Sequence, residues 1–269
     1  MKKIKRSYFL SLILFININY SFAQTPSAFS LPDGYHFERE IIQVLKSHKN
    51  PSDSTRIFSY YTNSGEYASV RMEGSPSKPM GQVVITKTGS MLFFNEKEKT
   101  VTVINIQNIL KDIANLAKWI KMDSLMAAMR RHTEGNEIKS VRTGQTKTIF
   151  GYPADQYSVT DKHGHISMVW CAKVDFPVIV DYILGAGAGK WLPMISTRLN
   201  DHPLFQELIS PGVIATDVQT TDSLGKTATL LRTESIQAVS WDFKTAGYKL
   251  IDYSNYSLME ILRTALHRE

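Results

Sequence analysis

The residues most suggestive of chemistry are the three glycines and the lysine in VIVDYILGAGAGKW, residues 178–191. A phosphate-binding loop needs a glycine, four residues, and then Gly-Lys followed by serine or threonine. Gly189 and Lys190 fit, but Leu184 stands at the first position and Trp191 at the last, so the hydroxyl that would hold magnesium is missing. A dinucleotide fingerprint would need glycine in place of Lys190. The stretch is therefore predicted to be a flexible hinge that would let a lid move over a pocket.

Metal-ligand types occur together in TDKHGHISMVWC, which contains Asp161, His163, His165 and Cys171. A catalytic zinc site needs three ligands on a rigid frame. Asp-Lys-His-Gly is also an ordinary hairpin turn, with both histidines exposed at its tip, and an adventitious metal contact is the alternative. Cys171 is the only cysteine and lies in an apolar, strand-like run, so it is predicted to be a buried small side chain without a disulfide. No metal site is predicted.

Enzyme motifs are absent from the sequence. It contains neither Gly-x-Ser-x-Gly nor His-Glu-x-x-His. The carboxylates of Glu96, Glu98, Asp217 and Asp222 fall at turns or on alternating polar faces, which is typical of solvated surface. We therefore expect a non-enzymatic protein with no catalytic residue and no cofactor. The alternative is an enzyme, which would need polar groups that converge in a cleft and have perturbed pKa values.

The first 23 residues have the pattern of a secretory signal peptide. Four basic residues precede a short apolar core, and Ser21 and Ala23 stand at the −3 and −1 positions of a cut before Gln24. The core is shorter than the roughly 20 residues of a membrane span, although an uncleaved anchor is an alternative. No later stretch reaches that length, so we expect a periplasmic or secreted protein without a transmembrane segment after cleavage.

The charge of the chain argues against a nucleic-acid partner. The sequence has 31 Lys and Arg against 25 Asp and Glu, a formal net charge of +6. The signal peptide holds four of the basic residues and none of the acidic ones, which leaves 27 against 25. A nucleic-acid surface needs a clustered basic face, which the sequence lacks.

Strand patterns dominate the N-terminal half. Between residues 35 and 106, short runs rich in β-branched and aromatic residues are separated by turn-forming clusters, which predicts an antiparallel meander. Apolar residues then recur at helical spacing, which predicts a helix over 107–131. A polar linker is predicted over 132–145.

The C-terminal half returns to strands, predicted at 147–159, 165–173, 212–221 and 227–240. Mixed helix and loop is predicted between the second and third of these. A closing helix is predicted over 257–269, because Ser257 and Glu260 fit a capping box ahead of an apolar stripe.

This order of elements predicts an α+β fold, with a strongly curved antiparallel sheet, or half-barrel, covered by amphipathic helices. The predicted organisation is a signal peptide over 1–23, a flexible leader over 24–34 and a single α+β domain over 35–269.

A methionine-rich part of the predicted helix is the candidate ligand site. Methionine fills irregular gaps and suits adaptable binding surfaces. This face either packs on the sheet or lines a cavity for a hydrophobic ligand, and the apolar residues beside the glycine hinge would contribute to the cavity or its lid. The residues concerned are Trp119, Met122, Met126, Met129, Trp191 and Met194.

Several short motifs in the C-terminal half follow a family pattern: a Lys-Thr-Ile-x-Gly-Tyr strand ending in Tyr, a strand carrying Trp, a long hairpin with Asp-x-x-Gly, and a closing Phe-x-x-Pro-x-Gly-Tyr. The matching residues are Thr148, Ile149, Gly151, Tyr152, Tyr157, Trp170, Gly225, Phe243, Gly247 and Tyr248. In them the sequence resembles a family of exported bacterial envelope proteins known only as a domain of unknown function. Pro153-Ala154 stands where members often have cysteine, and Ala246 replaces the usual proline.

That family is similar in outline to periplasmic lipoprotein carriers of the LolA/LolB type. The resemblance implies a half-barrel whose helices close an apolar cavity, and a lipid or acyl cargo. The alternative is a structural or interaction module of the envelope, with a filled core and an exposed apolar patch or sheet edge for a protein partner. Likeness of fold does not decide between the two, and no catalytic residue carries over.

Overall fold

A computed structural model describes residues 29–46, 54–73, 81–119, 139–161, 164–185, 202–221 and 225–266. The predicted signal peptide lies outside these residues. Among the described residues, no helix is long and apolar enough to cross a membrane.

The described strands form one sheet. They are β1 (Gly34–Lys46), β2 (Ser54–Tyr61), β3 (Tyr67–Glu73), β4 (Val83–Thr86), β5 (Ser90–Asn95), β6 (Thr100–Asn105), β7 (Lys139–Ile149), β8 (Tyr152–Thr160), β9 (Ile166–Lys173), β10 (Val213–Thr221), β11 (Thr227–Lys244) and β12 (Lys249–Tyr253). Their order in the sheet is β12-β6-β5-β4-β3-β2-β1-β11-β10-β9-β8-β7. Neighbours run antiparallel except β12, which is parallel to β6. The predicted antiparallel meander is confirmed for β1 to β6.

The described helices are α1 (Ile106–Trp119), α2 (Ile179–Gly185), α3 (Pro203–Leu208) and α4 (Leu258–Leu266). Helix α1 begins within one residue of its predicted start, and residues 120–131 of that prediction lie outside the described part of the chain. The capping box of α4 is confirmed: the Ser257 N–H donates to Glu260 Oε2 at 2.7 Å and the Glu260 N–H donates to Ser257 Oγ at 3.1 Å.

The single strand predicted over 147–159 is wrong, because a tight turn divides it into β7 and β8. Phe150 and Gly151 form this turn with φ of 51° and 88°. Two-residue hairpin turns need such left-handed backbone. Their usual sequence signal is Asn-Gly, so Phe-Gly does not predict a turn here. The polar linker predicted over 132–145 is also wrong from Lys139 onward. Those residues belong to β7, an edge strand whose side chains are almost all exposed and so show no apolar alternation.

The sheet is strongly curled. The rings of Phe94 on β5 and Phe243 on β11 have centroids 4.8 Å apart. Five strand spacings separate these strands, which would place them roughly 24 Å apart in a flat sheet. Only residues 245–248 connect β11 to β12 at the sheet's edge, seven spacings away. The curved sheet is thus as predicted, but it does not close into a barrel, because it continues from β11 through β10 to β7.

Aromatic side chains fill the inside of the curl, which we call the inner face. Tyr35, Phe37, Phe94 and Phe243 are buried there together with aliphatic residues of β4 to β6. The ring of Trp241 stacks on the ring of Tyr60, with 4.1 Å between their centroids. The hydrophobic effect of this packed cluster explains why strands distant in the sheet are drawn together.

The residues before β1 pack on the same cluster. Phe29 and Leu31, within the segment predicted to be a leader, contact its edge. The Thr245 N–H donates to the Asp33 carbonyl at 3.1 Å, and the Phe29 N–H donates to Asp252 Oδ2 at 3.2 Å. This part of the predicted leader therefore lies across the join between β11 and β12.

The opposite, outer face carries the helical segments. Residues 174–178, which lead into α2, and Tyr182 of α2 cover Ile41 and Tyr61. Ile261 of α4 packs on β12, and α3 packs on β8 to β10 through Leu204 and Leu208. Helices therefore cover one face of the sheet as predicted, but in the described residues this is the outside of the curl, whereas the LolA/LolB resemblance implies helices that close an apolar cavity.

Candidate functional site

The residues predicted to line a hydrophobic cavity cannot be placed together. Trp119 is the last residue of α1, and its side chain is outside the described part. Met122, Met126, Met129, Trp191 and Met194 also lie outside the described residues. Within the glycine-rich stretch 178–191, Ile179–Gly185 form α2, and the predicted hinge beyond Gly185 lies outside the described residues. This site remains a prediction.

The other chemistry-bearing stretch is a turn and a buried thiol. The Gly164 N–H donates to the Asp161 carbonyl at 3.0 Å, as in the predicted hairpin turn. His165 is half-buried rather than exposed, with its Nδ1 3.0 Å from Asp161 Oδ2, and His163 lies outside the described residues. Cys171 is free and buried, as predicted, and burial raises the pKa of its thiol to about 12. Among the described residues, no three His, Cys, Asp or Glu side chains converge on a possible metal position.

An open cleft on the outer face is the candidate concave site in the described residues. Its volume is about 590 Å³. It lies between the segment that leads into α2 and the loop that joins α3 to β10. The lining residues are Val174, Asp175, Phe176, Pro177, Asp181, Leu184, Ile209, Pro211 and Gly212. Six of these nine carry apolar side chains, so the cleft suits a ligand with substantial apolar surface.

Asp181 holds the two walls of the cleft together. Its Oδ2 accepts the Val178 N–H at 2.8 Å, which caps α2, and the Gly212 N–H at 3.0 Å, which belongs to the opposite wall. The Val174 N–H in turn donates to the Gly212 carbonyl at 2.8 Å. Gly212 has φ of +70°, and a Cβ there would lie 2.8 Å from the Val174 carbonyl oxygen, so this close approach needs glycine.

The rim of the cleft is polar. The Tyr152 hydroxyl donates to Asp175 Oδ1 at 2.9 Å, and burial, with this bond, raises the pKa of the phenol. The guanidinium of Arg39 lies 4.0 Å from Asp175 Oδ2 and 5.7 Å from the centre of the Phe176 ring. The arrangement offers an apolar interior with a charged, hydrogen-bonding edge, and no nucleophile paired with a base is among the lining residues.

Sequence reasoning missed this cleft although it singled out an overlapping stretch. The segment 178–191 is conspicuous for its glycines, whereas the cleft depends on Asp181 and Leu184 of that segment and on the preceding Pro177. Val174 and Phe176 contact Gly212 only because β9 and β10 pair, with Lys173 opposite Val213. An Asp in the first turn of a helix is a signal for a helix cap, here the bond from the Val178 N–H to Asp181. The second group that donates to Asp181, the Gly212 N–H, lies 31 residues away in the chain.

No protein-family model matches the chain, and no curated protein sequence matches it. Solved structures match over most of its length at low identity. PNGF-II has a TM-score of 0.38 and 10% identity over 86% of this chain, which spans only 33% of PNGF-II. An uncharacterized conserved protein from Thermus thermophilus has a TM-score of 0.36 and 7% identity, covering 80% of this chain and 89% of that one. A domain from Vibrio parahaemolyticus described as a putative outer membrane lipoprotein-sorting protein has a TM-score of 0.23 and 8% identity, covering 87% and 92%. The LolA-like protein is thus only a distant structural neighbour, and the envelope family stays a prediction.

Proposed function

We propose that the protein is an exported, non-enzymatic binding protein that holds a small hydrophobic ligand in the outer-face cleft. The observation that carries the proposal is the cleft itself. Its volume of about 590 Å³ lies within the roughly 300–1,000 Å³ of small-molecule sites. Its walls are largely apolar, and a single carboxylate fixes both of them by accepting two backbone hydrogen bonds.

The rim favours an amphiphilic ligand over a purely apolar one. An acyl chain would bury its surface against Phe176, Leu184 and Ile209, where loss of contact with water stabilises the complex. A polar head group would remain at the edge beside Asp175 and Arg39. A fatty acid is therefore the probe that matches both parts of the cleft.

An envelope interaction module is the second candidate, and the edge of the sheet supports it. Strand β7 has 11 residues, lies at the sheet's edge and exposes nearly all its side chains. Such an edge can pair with an extended segment of another protein. Under this alternative the cleft would bind no ligand.

The test uses the full chain expressed in a bacterial host and purified from the periplasm without detergent. The mass of the purified protein reports whether it is cut after Ala23. Native mass spectrometry then reports any bound apolar molecule, and titration with a fluorescent fatty acid reports uptake. Leu184→Asp and Ile209→Asp place a charge in the cleft, while Met259→Asp, on an exposed part of α4, is the matched control.

We expect the wild type and Met259→Asp to bind the fatty acid equally and both cleft variants to bind it at least about ten-fold more weakly. Circular dichroism and thermal unfolding establish that the variants are folded. Equal binding by all four proteins, or no uptake by the wild type, refutes a ligand site in the cleft. No uptake together with a purified protein partner would favour the interaction module.

A further inference from the structure

The polar rim of the outer-face cleft carries one positive and one negative charge side by side. Asp175 lines the cleft, and its side chain is 64% exposed. The guanidinium of Arg39 lies 4.0 Å from Asp175 Oδ2 and against the ring of Phe176, which also lines the cleft. Because Asp175 both lines the cleft and is largely exposed, the two charges lie at the edge, where the head group of a ligand would meet water.

Arg39 is held in place but keeps hydrogen-bonding capacity. Its Nε donates to Asn63 Oδ1 at 2.9 Å, and the Asn63 N–H donates to Glu38 Oε2 at 2.7 Å. The distance of 4.0 Å to Asp175 is too long for a hydrogen bond. Among the described residues the terminal amino groups of Arg39 have no hydrogen-bond partner, and its side chain is 28% exposed. These groups can donate to an anion in the planar geometry that phosphate and carboxylate oxygens accept.

Asp175 is also positioned and also has capacity left. The Tyr152 hydroxyl donates to its Oδ1 at 2.9 Å, which orients the carboxylate. In the part of the chain that the structure describes, no group donates to its Oδ2 within hydrogen-bond distance. Each oxygen of an ionised carboxylate can accept more than one hydrogen bond. Asp175 can therefore accept from an ammonium group of a ligand.

The charges around the cleft disfavour a head group of a single sign. A second carboxylate, Asp181, also lines the cleft, where it accepts two backbone N–H groups. An anionic head group would gain Arg39 but would lie close to two carboxylates. A cationic head group would gain Asp175 but would lie close to the guanidinium of Arg39. A head group that carries both charges places each of them beside its opposite.

We propose that the ligand of the outer-face cleft is a single-chain amphiphile with a zwitterionic head group of the phosphoethanolamine type. The phosphate accepts N–H groups of Arg39, the ammonium donates to Asp175, and the acyl chain lies against the apolar walls. Two methylene groups separate the charged ends of phosphoethanolamine, which suits two counter-charges 4.0 Å apart. This inference rests on the proposed function, because it names the ligand class of the same cleft.

The test compares three probes whose apolar chains have the same length and whose head groups differ in charge. They are lauroyl lysophosphatidylethanolamine, which is zwitterionic, lauroyl lysophosphatidic acid, which is anionic, and dodecylamine, which is cationic. Binding to the full, processed chain is measured by isothermal titration calorimetry below the concentration at which each probe forms micelles. Arg39→Met removes the positive charge, and Asp175→Asn removes the negative charge but keeps an oxygen for the Tyr152 hydroxyl.

Two matched controls make the same substitutions away from the cleft. Arg142→Met removes an exposed arginine that pairs with Asp155. Asp242→Asn removes an exposed carboxylate that pairs with His36. Asp217 would be a poor control, because its Oδ1 is buried, contrary to the prediction that this residue belongs to the solvated surface.

We expect the wild type to bind the zwitterionic probe about five-fold more tightly than either singly charged probe, a modest factor because the rim charges are partly exposed. Arg39→Met should weaken binding of the zwitterion by about five-fold without weakening that of dodecylamine. Asp175→Asn should weaken binding of the zwitterion by about as much without weakening that of lysophosphatidic acid. Loss of fold cannot produce these opposite selectivities. Both control variants should bind all three probes like the wild type.

Two kinds of failure can be told apart. Equal affinity of the wild type for all three probes, tighter binding of a singly charged probe, or zwitterion binding that neither rim variant changes would overturn the zwitterionic ligand. The cleft itself would still stand in those cases if Leu184→Asp weakens binding of every probe. No binding of any probe by the wild type would refute the cleft as a ligand site, and the zwitterionic ligand with it.

Discussion

The contact between Phe94 and Phe243 permits a direct energetic test of the curl. Phe94→Leu and Phe243→Leu, made singly and together, form a double-mutant cycle. The ring centroids lie 4.8 Å apart with an interplanar angle of 85°, which is the edge-to-face geometry of a favourable aromatic pair. Each single substitution should lower the free energy of unfolding by about 1–2 kcal/mol, because leucine fills only part of the space.

The coupling energy of the cycle is the informative quantity. Two aromatic side chains in contact contribute about 0.5–1.5 kcal/mol beyond the area they bury, so the double variant should be less destabilised than the sum of the singles by that amount. In a flat sheet the strands would be roughly 24 Å apart and the two effects would add. The sign and size of the coupling therefore report whether β5 and β11 meet.

The assay is urea unfolding followed by far-UV circular dichroism, with the slope of each transition compared to establish that all four proteins unfold alike. Phe94→Leu combined with Phe176→Leu is the control, since Phe176 is also buried but packs on the outer face. That control pair should add within about 0.3–0.5 kcal/mol. A Phe94–Phe243 coupling no larger than the control's would refute the curled sheet.

Two further predictions concern single groups. Asp181→Ala should lower the free energy of unfolding by about 2–4 kcal/mol, because two backbone N–H groups lose their acceptor. Asp181→Asn keeps an oxygen at this position, so it should lower the free energy of unfolding by less in the same urea assay. Stability equal to wild type in both variants would contradict the role of Asp181. Cys171 should resist iodoacetamide at about pH 8.5 in the folded protein and react fully in urea, because burial raises the thiol pKa from 9.0 to about 12. Because the fold favours the neutral thiol of Cys171, its contribution to stability is complete below about pH 9 and is lost as the pH rises towards 12. Rapid alkylation of Cys171 in the folded protein would contradict its burial.

Strand positions could be predicted wherever one face of a strand is buried. Strand β5 alternates strictly, with Ser90, Leu92 and Phe94 buried and the residues between them partly exposed. Where burial is missing the pattern fails, as in β7, whose exposed side chains resemble those of a linker. The helix cap at Ser257 could be predicted because both of its partners lie within one turn of the chain.

The outer-face cleft could not be predicted, because it is assembled by pairing across long sequence separations. Asp181 reaches Gly212 only after α3 and β10 are in place. Alternation identifies a strand but not its neighbour, so neither the curl of the sheet nor the contact between Asp181 and Gly212 can be predicted from residue order.

The central pairing of the sheet joins segments that are far apart in the chain. Gly34 pairs with Lys244, and Thr100 pairs with Lys249, so β1 and β6 each obtain one neighbour only when the C-terminal strands have been made. Loop-closure entropy makes such distant pairing slow. A nascent chain would therefore expose two unpaired strand edges and the aromatic side chains of β1 for much of its folding time. We expect folding in vivo to depend on protection of these edges until the C-terminal strands have been made.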